Sequence, residues 1–495
     1  MTKRTNLIIG AGPAGLTAAY ELGRRDIPGI VLEADDVVGG LARTLTLGDY
    51  RFDIGAHRFF TKVKEIESLW EEMLGEPLMT CDRLTRILYK GKFYEYPLKA
   101  RNALKNMGIF EALACIASYG RAKIKPIPQP SNFEQWVINE FGEKLFKMFF
   151  KSYTEKVWGC SCTEIGADWA AQRIKGLNLG KAIAGAVFGK RGKTIKTLID
   201  QFKYPRLGPG QLWESCARNI VTRGWSLQLH TKVEEIQRFD GRVATVSAKT
   251  SNGHLHEYSV DQLISSMPLR ELLLSMRPAP PKEVLDAATN LAYRDFLIVA
   301  LVLDKPNIFP DNWIYVHSPE VKVGRIDNFG NWTPDMLPDR NTSCLAMEYF
   351  VFEGDEVWSG ADDDLVKMAY HELGVLGLAK GKVIKNRVVR VRKAYPVYDP
   401  GYKARLDVIR TWLGEHVLNL HCIGRNGQHR YNNQDHSMAT ALIAARNIAF
   451  AESRDPWSVN EDAEYHEIAE TERQAPIIPP PSNLDKSRAV GVVRV

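Results

Sequence analysis

A short apolar run followed at once by three spaced glycines constrains this chain more than any other feature. Residues 7–9 predict a buried parallel strand, and Gly10, Gly12 and Gly15 follow it with the spacing G-x-G-x-x-G. The first glycine permits a tight turn, the second lets a pyrophosphate approach the backbone, and the third lets the next helix pack against the strand. The spacing therefore predicts a dinucleotide site where that helix begins.

The elements that follow strengthen this interpretation. A helix predicted from Ala14 to residue 25 directs its positive N-terminal end toward the phosphates. A second strand, residues 29–32, ends at Glu33, whose carboxylate can accept hydrogen bonds from ribose hydroxyls. The position of the stretch near the N-terminus favours a flavin enzyme over a nicotinamide dehydrogenase, but this stretch alone leaves the choice open.

Composition restricts the class of protein. A length of 495 residues predicts several domains, and contents of 45% apolar and 25% charged residues are typical of a globular protein. The net charge of +6 favours anionic ligands but is too small to indicate a nucleic-acid-binding protein. We therefore expect a small-molecule partner and no nucleic acid.

Cysteine usage and hydropathy predict a cytoplasmic setting. The seven cysteines are scattered, and Cys160 and Cys162 lack the spacing of a zinc site, so no metal is expected. An odd number of scattered cysteines favours a reducing compartment. The first strand begins too early for a signal peptide, and no run reaches the ~18 apolar residues of a transmembrane helix.

The order of the elements predicts an α/β fold. It comprises a Rossmann-like dinucleotide-binding domain with a parallel sheet, an inserted helical domain and a sheet-containing substrate domain. An amphipathic helix is expected over residues 62–75 and a β-hairpin over 86–97. The predicted bounds are 1–80, 205–275 and 410–452 for the discontinuous nucleotide domain, 81–204 for the helical insertion with its hairpin, 276–409 for the mixed-sheet substrate domain, and 453–495 for an extended or disordered tail.

Three further segments carry candidate functional residues. Gly39 and Gly40 form a turn that lets the backbone lie against a bound group, and Arg43 follows within reach of a phosphate. His57 follows a glycine turn directly after a strand, which favours a place in the site over a structural role. Residues 181–193 are apolar, glycine-rich and flanked by positive charge, consistent with a loop over a site, an interfacial contact or a plain surface loop.

The Gly39–Gly40 turn and the late Gly424–Arg425 turn together resemble the amine-oxidase-like flavoprotein superfamily, which includes protoporphyrinogen oxidase and phytoene desaturase. The resemblance implies that the cofactor is FAD, with its ADP part on the first strand, turn and helix and its flavin end under the C-terminal turn. It also implies an adenine contact from the strand at 231–233. The implied cofactor contacts are Gly10, Gly12, Ala14, Gly15, Glu33, Gly40, Leu41, Arg43, His57, Val233, Gly424 and Arg425.

A narrower resemblance is to the UDP-galactopyranose mutase family. Residues 54–61 resemble the segment that places a histidine beside the flavin, and residues 424–431 resemble the turn that carries a flavin-contacting arginine and a phosphate-binding tyrosine. Residues 151–159 with 171–174, and residues 291–294, are similar to the nucleotide-site helix, the arginine loop and the strand that presents a second arginine. The chain has Asn433 where the family usually has aspartate.

This resemblance implies an enzyme that interconverts pyranose and furanose forms of a nucleotide-activated sugar, with N5 of reduced flavin as the nucleophile. Arg173 and Arg294 would bind the departing diphosphate as planar, bidentate donors, and His57 would complete the catalytic set. Tyr153 and Tyr431 would donate hydroxyls to the phosphates and Trp158 would line the substrate pocket. Each of these residues also has a structural alternative to substrate binding. The arginines could form surface ion pairs, and Tyr153 and Trp158 could be core residues.

Two other functions stay open. The first is an FAD-dependent oxidase or desaturase of the protoporphyrinogen oxidase or amine oxidase type, which would take hydride from its substrate. The apolar residues 182–189 would suit an apolar substrate. The second is a catalytically silent binding protein with the flavin fold. Arg325 is a further candidate anion contact, whatever the reaction. The expected partners are a UDP-sugar, a reductant such as NAD(P)H that binds transiently at the flavin, and a second copy in a homodimer.

Overall fold

The computed structural model describes residues 4–96, 98, 100–167 and 201–460. Arg173, residues 181–193 and the C-terminal segment from residue 461 lie outside the described residues, so the predictions that fall on them stay predictions. In chain order, the strands are β1 (Thr5–Ile9), β2 (Gly29–Leu32), β3 (Thr44–Leu47), β4 (Tyr50–Asp53), β5 (Met79–Asp82), β6 (Thr85–Tyr89), β7 (Lys92–Glu95), β8 (Gln201–Tyr204), β9 (Ser226–Gln228), β10 (Thr231–Phe239), β11 (Arg242–Thr250), β12 (Leu255–Ser265), β13 (Met276–Arg277), β14 (Tyr293–Leu303), β15 (Trp313–Val316), β16 (Arg325–Asn328), β17 (Ser343–Val351), β18 (Val383–Pro396) and β19 (Leu420–Cys422).

The α-helices lie in three groups, one on the parallel sheet, one in the insertion and one, including Asp362–Val375, on the mixed sheet. They are Pro13–Gly23, Lys64–Leu74, Ala100–Met107, Ile109–Ile124, Phe133–Phe141, Glu143–Leu145, Ser152–Trp158, Pro209–Thr222, Leu269–Leu274, Lys282–Thr289, Glu356–Ser359, Asp362–Val375, Tyr402–His416, Gly424–Gly427 and Gln434–Phe450. A π-helical turn spans Phe146–Lys151, and short 3₁₀ turns include Gly40–Ala42 and Phe329–Asn331. Within the described ranges, no helix combines the length and the apolar character that a bilayer crossing requires.

The first sheet contains the predicted parallel core. β1 pairs in parallel with β2 on one side and β12 on the other, while β9 and β19 extend the parallel set. β12 is long and pairs with three strands: its first half pairs antiparallel with β11, and its second half pairs in parallel with β1 and β19. The residues after four of these strands, Gly10, Glu33, Ser266 and Gly424, all line one cavity. Ligands of open α/β sheets bind at this edge.

Three helices cover one face of this sheet and are joined by a buried ion pair. Arg446, in the helix Gln434–Phe450, donates from Nε to Glu21 Oε1 at 2.9 Å and also pairs with Glu65 of the helix Lys64–Leu74. Burial opposes ionisation of Glu21, but Arg25 and Arg446 outweigh it and hold the pKa of that carboxyl below its usual value. Arg446 therefore ties its helix to the two helices that carry Glu21 and Glu65, while Arg25 gives Glu21 a second positive partner at 2.9 Å. The helix expected over residues 62–75 is confirmed.

The second sheet has the strand order β18-β14-β17-β16-β15-β6-β7. β14 is buried over its whole length because β17 and β18 pair with both of its edges and side chains cover both faces. The hairpin β6–β7 forms where the Lys90–Gly91 turn predicts it, but β6 pairs in parallel with β15. The hairpin is therefore the edge of the mixed sheet, whereas the sequence placed it with the helical insertion.

The helical insertion packs beneath that hairpin around its own apolar core. Phe133, Phe146, Phe149 and Trp158 are buried there together with Tyr94 of the hairpin. β5 and β8, which flank the insertion in sequence, pair antiparallel and close its base. The α/β fold with a parallel-sheet domain, a helical insertion and a mixed sheet agrees with the fold class expected from the sequence.

Candidate active site

A cavity of about 1160 Å³ runs between the two sheets. One end lies against the carboxyl ends of β1 and β2, where Gly12 and Glu33 line it. The other end lies between the turn at Gly424 and the strands β15 and β16 of the mixed sheet. A cavity of this size and length has room for an extended dinucleotide together with a small substrate.

The three glycines of the first turn have different physical reasons to be glycine. Gly10 has φ +98°, and a Cβ there would lie 2.3 Å from Ser266 Oγ. A Cβ on Gly15 would lie 1.9 Å from the carbonyl oxygen of Gly10, so the helix packs on the strand only without a side chain. A Cβ on Gly12 would meet nothing closer than 3.7 Å and would occupy the cavity. The turn thus has the form that a pyrophosphate requires.

Glu33 is held by backbone donors at the end of β2. Its Oε2 accepts from Ala11 N at 2.6 Å and its Oε1 accepts from Asp35 N at 2.9 Å. Burial raises the pKa of this carboxyl, and the two backbone donors oppose the rise. On the neighbouring strand, Thr231 N donates to Glu33 O at 2.7 Å, which brings Val233 to the same end of the cavity.

The second glycine turn lies directly against the first. Gly39 and Gly40 have φ +97° and +52°, and a Cβ on Gly40 would lie 3.2 Å from the Cα of Gly12. Gly39 N donates to Ala11 O at 2.8 Å, which locks the two turns together. Leu41 and Arg43 also line the cavity beyond this contact, and Arg43 Nη1 pairs with Asp35 at 2.6 Å.

His57 lies at the other end of the cavity as a neutral imidazole. Its Nε2 donates to the carbonyl oxygen of Ile54 at 2.7 Å. Burial, followed by the positive charge of Arg425, lowers the pKa of His57 to about 4. The imidazole is therefore uncharged at neutral pH and presents no competing positive charge there.

Arg425 projects from a turn that only glycine can form. Gly424 has φ +75°, and a Cβ there would lie 2.9 Å from the Cβ of Ala14 in the first helix. The guanidinium donates to two backbone carbonyls, Asn432 O at 2.9 Å and Ala394 O at 3.0 Å. Within the described part of the chain, no carboxylate oxygen lies within 4.0 Å of it. None of the described residues therefore offsets its positive charge with an ion pair.

Arg325 lines the same end, but its charge is offset. Its Nη2 donates to Glu348 Oε1 at 2.8 Å, its Nε also pairs with Glu348, and Asp327 lies 3.9 Å away. Burial, together with the Glu348 carboxylate, raises the pKa of Asp327 well above its usual range. The Glu348 carboxylate offsets the charge of Arg325 and fixes the orientation of its guanidinium.

Four predicted substrate residues do not line the cavity. Arg294 is buried, donates to Phe350 O at 2.6 Å and lies 4.0 Å over the ring of Phe352. The guanidinium lies directly against the backbone of Gly159, since a Cβ there would be 2.4 Å from its Cζ. Arg294 therefore joins strand β14 to the insertion. Its donors are directed at backbone carbonyls and Asp355 lies 3.9 Å away, and the expected diphosphate contact stays a prediction.

The three aromatic candidates lie behind the cavity wall. Trp158 is a core residue of the insertion. Tyr153 stacks on His317 at 4.7 Å and meets the edge of Tyr315 at 5.5 Å, which itself lines the cavity. Tyr431 lies under Arg425, 4.6 Å from its guanidinium. Trp158 occupies the core position that was its structural alternative, whereas Tyr153 is half-buried beside the cavity-lining Tyr315, and its substrate contact stays a prediction.

Several cavity residues were not singled out from the sequence. They are Arg58, Phe60, Trp313, Tyr315 and Gln434, and they lie beside Asn433, which the sequence had marked. Asn433 caps the helix Gln434–Phe450 in a reciprocal arrangement with His436, which explains why asparagine serves at this position. Arg58 and Phe60 lie within the motif at 54–61 and were within reach of sequence reasoning. Trp313 and Tyr315 carry no local signal, because only the pairing of β15 brings them to the cavity.

The glycine cradle, the half-buried acid at the end of β2 and the cavity between the two sheets define a protein that binds a dinucleotide. The chain belongs to the flavin containing amine oxidoreductase family, whose model matches residues 13–377. It is a flavin-dependent enzyme of this oxidoreductase family, and its cofactor is FAD.

Individual relatives divide between two activities. The chain is 24% identical over 449 residues to a coproporphyrinogen III oxidase of Mycobacterium leprae, which covers 83% of this chain and 92% of that protein. It is 29% identical over 171 residues to a dTDP-fucopyranose mutase of Escherichia coli, 33% of this chain and 44% of that relative. A solved structure of reduced UDP-galactopyranose mutase has the same fold, with a TM-score of 0.79, 19% identity and coverage of 94% of this chain and 98% of that chain.

Proposed function

We propose that this FAD enzyme interconverts the pyranose and furanose forms of a nucleotide-activated sugar. The observation that carries the proposal is Arg425, whose positive charge at the cavity end near His57 has no carboxylate partner among the described residues. Such a charge favours an anion, either a reduced flavin or the diphosphate that leaves the sugar. Reduced flavin would supply N5 as the nucleophile toward the anomeric carbon.

The residues of the chain would position the reactants and stabilise charge. Arg425 would stabilise the anionic group at the flavin end, and neutral His57 would contact the ring without adding charge. Arg325, held in place by Glu348, would donate hydrogen bonds to the substrate. Tyr315 and Trp313 would form an aromatic wall for the sugar or the base.

Under this proposal the two predicted diphosphate-binding arginines, Arg173 and Arg294, have different roles. Arg173 stays a predicted diphosphate contact. For Arg294, the contacts with backbone carbonyls favour a role in holding the insertion on the mixed sheet over direct binding. The dTDP-fucopyranose mutase and UDP-galactopyranose mutase relatives support a nucleotide sugar as the substrate class. NAD(P)H as the reductant, and a homodimer, belong to the same proposal.

An FAD-dependent oxidase is the second candidate. The long alignment with the coproporphyrinogen III oxidase favours it, because that alignment spans 83% of this chain. In this case oxidised FAD would accept hydride from the substrate, and oxygen would reoxidise it. The two functions require opposite redox states of the flavin at the start of turnover.

One pair of assays on the purified FAD-loaded protein separates them. The chemically reduced protein is incubated anaerobically with UDP-galactopyranose or dTDP-fucopyranose, and the products are separated by chromatography. We expect a furanose product from at least one sugar. No product from either sugar, together with oxygen consumption when the oxidised protein receives coproporphyrinogen III, would overturn the mutase proposal.

A further inference from the structure

The helix Ile109–Ile124 in the insertion has apolar residues on two opposite sides. Its inner side is ordinary, because Ala112, Cys115 and Ala122 are buried against the insertion core. Its outer side is apolar as well, although it faces solvent. We call this outer side, together with Leu104 of the preceding helix, the exposed apolar face. Its members and their exposed fractions are Leu104 41%, Ile109 70%, Phe110 86%, Leu113 57%, Ile116 42% and Ile124 86%.

The members of this face that belong to the helix Ile109–Ile124 share one side of it. At 3.6 residues per turn, Ile109, Leu113 and Ile116 follow one another along the helix, with Ile124 on the same side. Phe110 lies beside them. Isolated exposed apolar residues are normal in folded proteins, but a contiguous exposed apolar stripe on a helix marks a surface that contacts another apolar phase.

Positive charge borders the exposed apolar face. Arg121, Lys123 and Lys125 are exposed near the C-terminal end of the helix, and Lys105 is exposed before its start. Lys123 also lies 3.3 Å from Glu140, and Glu111, the acidic residue of the helix, pairs with Lys144 at 3.2 Å. Residues 100–125 contain a single acidic residue, Glu111, against five basic ones: Arg101, Lys105, Arg121, Lys123 and Lys125.

This charge distribution selects between two occupants. A second copy of the chain related by a two-fold axis would bring the same basic border against itself, because such an interface pairs one surface with its own copy. The positive charges of the two copies would then repel each other. A bilayer with anionic headgroups instead places negative charge beside the basic residues and an acyl layer beneath the apolar ones.

We propose that the exposed apolar face docks the protein onto an anionic lipid surface, with the helix Ile109–Ile124 lying in the plane of the membrane interface. The apolar side chains enter the headgroup boundary while the basic side chains contact lipid phosphates. The insertion is attached firmly to the mixed sheet, since Lys92 Nζ donates to Asn106 O at 2.6 Å and Asn106 Nδ2 donates to Phe93 O at 2.7 Å. Docking would therefore orient the whole molecule.

Vesicle co-sedimentation of the full-length FAD-loaded protein tests the proposal. Vesicles of phosphatidylcholine alone are compared with vesicles of equal parts phosphatidylcholine and phosphatidylglycerol. We expect binding to the anionic vesicles, at least ten-fold weaker binding to the neutral ones, and weakening with added salt. The triple variant Ile109→Ser, Phe110→Ser, Leu113→Ser should lose at least ten-fold in binding to the anionic vesicles.

A matched control variant separates the face from general stickiness. Phe239, at the far end of β10, is 78% exposed, and Phe239→Ser should bind vesicles like the wild-type protein. Retention of the flavin absorbance spectrum shows that each variant is folded. The proposal is overturned if the wild-type protein ignores anionic vesicles or if the triple variant binds them equally well. It is also overturned if light scattering shows a dimer that the triple variant abolishes while no vesicle binding occurs.

Discussion

Arg425 is the residue whose charge we expect to act most directly on a flavin in this cavity. A unit positive charge at a half-buried site stabilises a nearby anion by about 1–3 kcal/mol. For a two-electron couple this corresponds to roughly 20–60 mV. We therefore expect Arg425→Ala to lower the reduction potential of the bound flavin by that amount, because the reduced form gains most from the positive charge.

A charge-conserving variant provides the control for this prediction. Arg425→Lys keeps the positive charge but loses the forked contacts with Ala394 and Asn432, so its potential should lie nearer the wild-type value. Spectroelectrochemical titration of the three proteins measures the effect. Equal potentials for the wild-type protein and Arg425→Ala would place the arginine away from the flavin.

Asp53 is a buried acid whose protonation should be visible in the pH dependence of stability. It accepts from Thr44 Oγ1 at 2.7 Å and from the hydroxyl of Tyr204, yet burial raises its pKa from 3.8 to about 7. Because the pKa of Asp53 is raised in the folded state, its protonated form contributes stability that is fully present below the unfolded-state pKa of 3.8. This contribution is lost as the pH rises through about 7. Three units correspond to at most about 4 kcal/mol.

The expected result is a pH-dependent difference between two proteins. Asp53→Asn cannot ionise, so the melting temperature of the wild-type protein relative to Asp53→Asn should fall between pH 4 and pH 8. The exposed Asp49→Asn is the control, and its difference from wild type should stay flat. A constant offset between wild type and Asp53→Asn across this range would show that Asp53 does not titrate there.

Among the structural elements, the glycine turn after β1 offers two substitutions, one expected to affect folding and the other expected to affect cofactor binding. In Gly15→Ala the new methyl group would lie 1.9 Å from a backbone carbonyl, so the helix Pro13–Gly23 must move away from the strand. In Gly12→Ala it enters the cavity and disturbs little of the chain itself. We expect Gly15→Ala to lower the melting temperature of the FAD-free protein, while Gly12→Ala keeps it and weakens FAD binding at least ten-fold.

Thermal melts of the FAD-stripped proteins and fluorescence titrations with FAD measure the two effects. The prediction fails if Gly12→Ala binds FAD normally, since the cavity would then not hold the pyrophosphate at that turn. It also fails if both variants melt alike without cofactor.

Local elements were predictable from sequence where a local rule dictates them. The turn at Gly10, the helix Lys64–Leu74 and the hairpin β6–β7 each follow from glycine spacing, helical periodicity or a Lys-Gly turn. The partner of the hairpin did not follow, because the parallel pairing of β6 with β15 joins residues more than 200 positions apart in the chain. Strand pairing at that separation leaves no periodic trace in either segment.

The site residues also divide into those that a local sequence rule marks and those that only the fold brings together. The backbone-defined contacts at Gly40 and Gly424 were marked by the sequence, since glycine suits their left-handed backbone and the close approach of a neighbouring turn or helix. Gly12 was marked by the glycine spacing, since a Cβ there would enter the cavity. Arg294 was not interpretable from its motif, because its guanidinium bonds to carbonyls of residues 156, 157 and 350 that the fold brings together. Trp313 and Tyr315 reach the cavity only through the sheet order.

At the scale of the whole molecule, the cavity is built by two sheets whose strands alternate along the chain. The nucleotide end belongs to the parallel sheet, and the reactive end is shared between the turn at Gly424 and the mixed sheet through β15 and β16. FAD would thus bridge both bodies, and the substrate would lie against the mixed sheet. This arrangement serves both a mutase and an oxidase, so the fold alone leaves the reaction to the chemistry of the site.

The number of product molecules formed per flavin reduction tests the central claim most directly. The FAD-loaded protein is reduced once with a stoichiometric amount of dithionite under strict anaerobiosis, and UDP-galactopyranose is then added in large excess. The mutase account predicts many furanose molecules per flavin, while the absorbance of oxidised flavin does not return. Product that stops at one molecule per flavin as the oxidised spectrum reappears, or product that forms only with oxidised flavin, would contradict it.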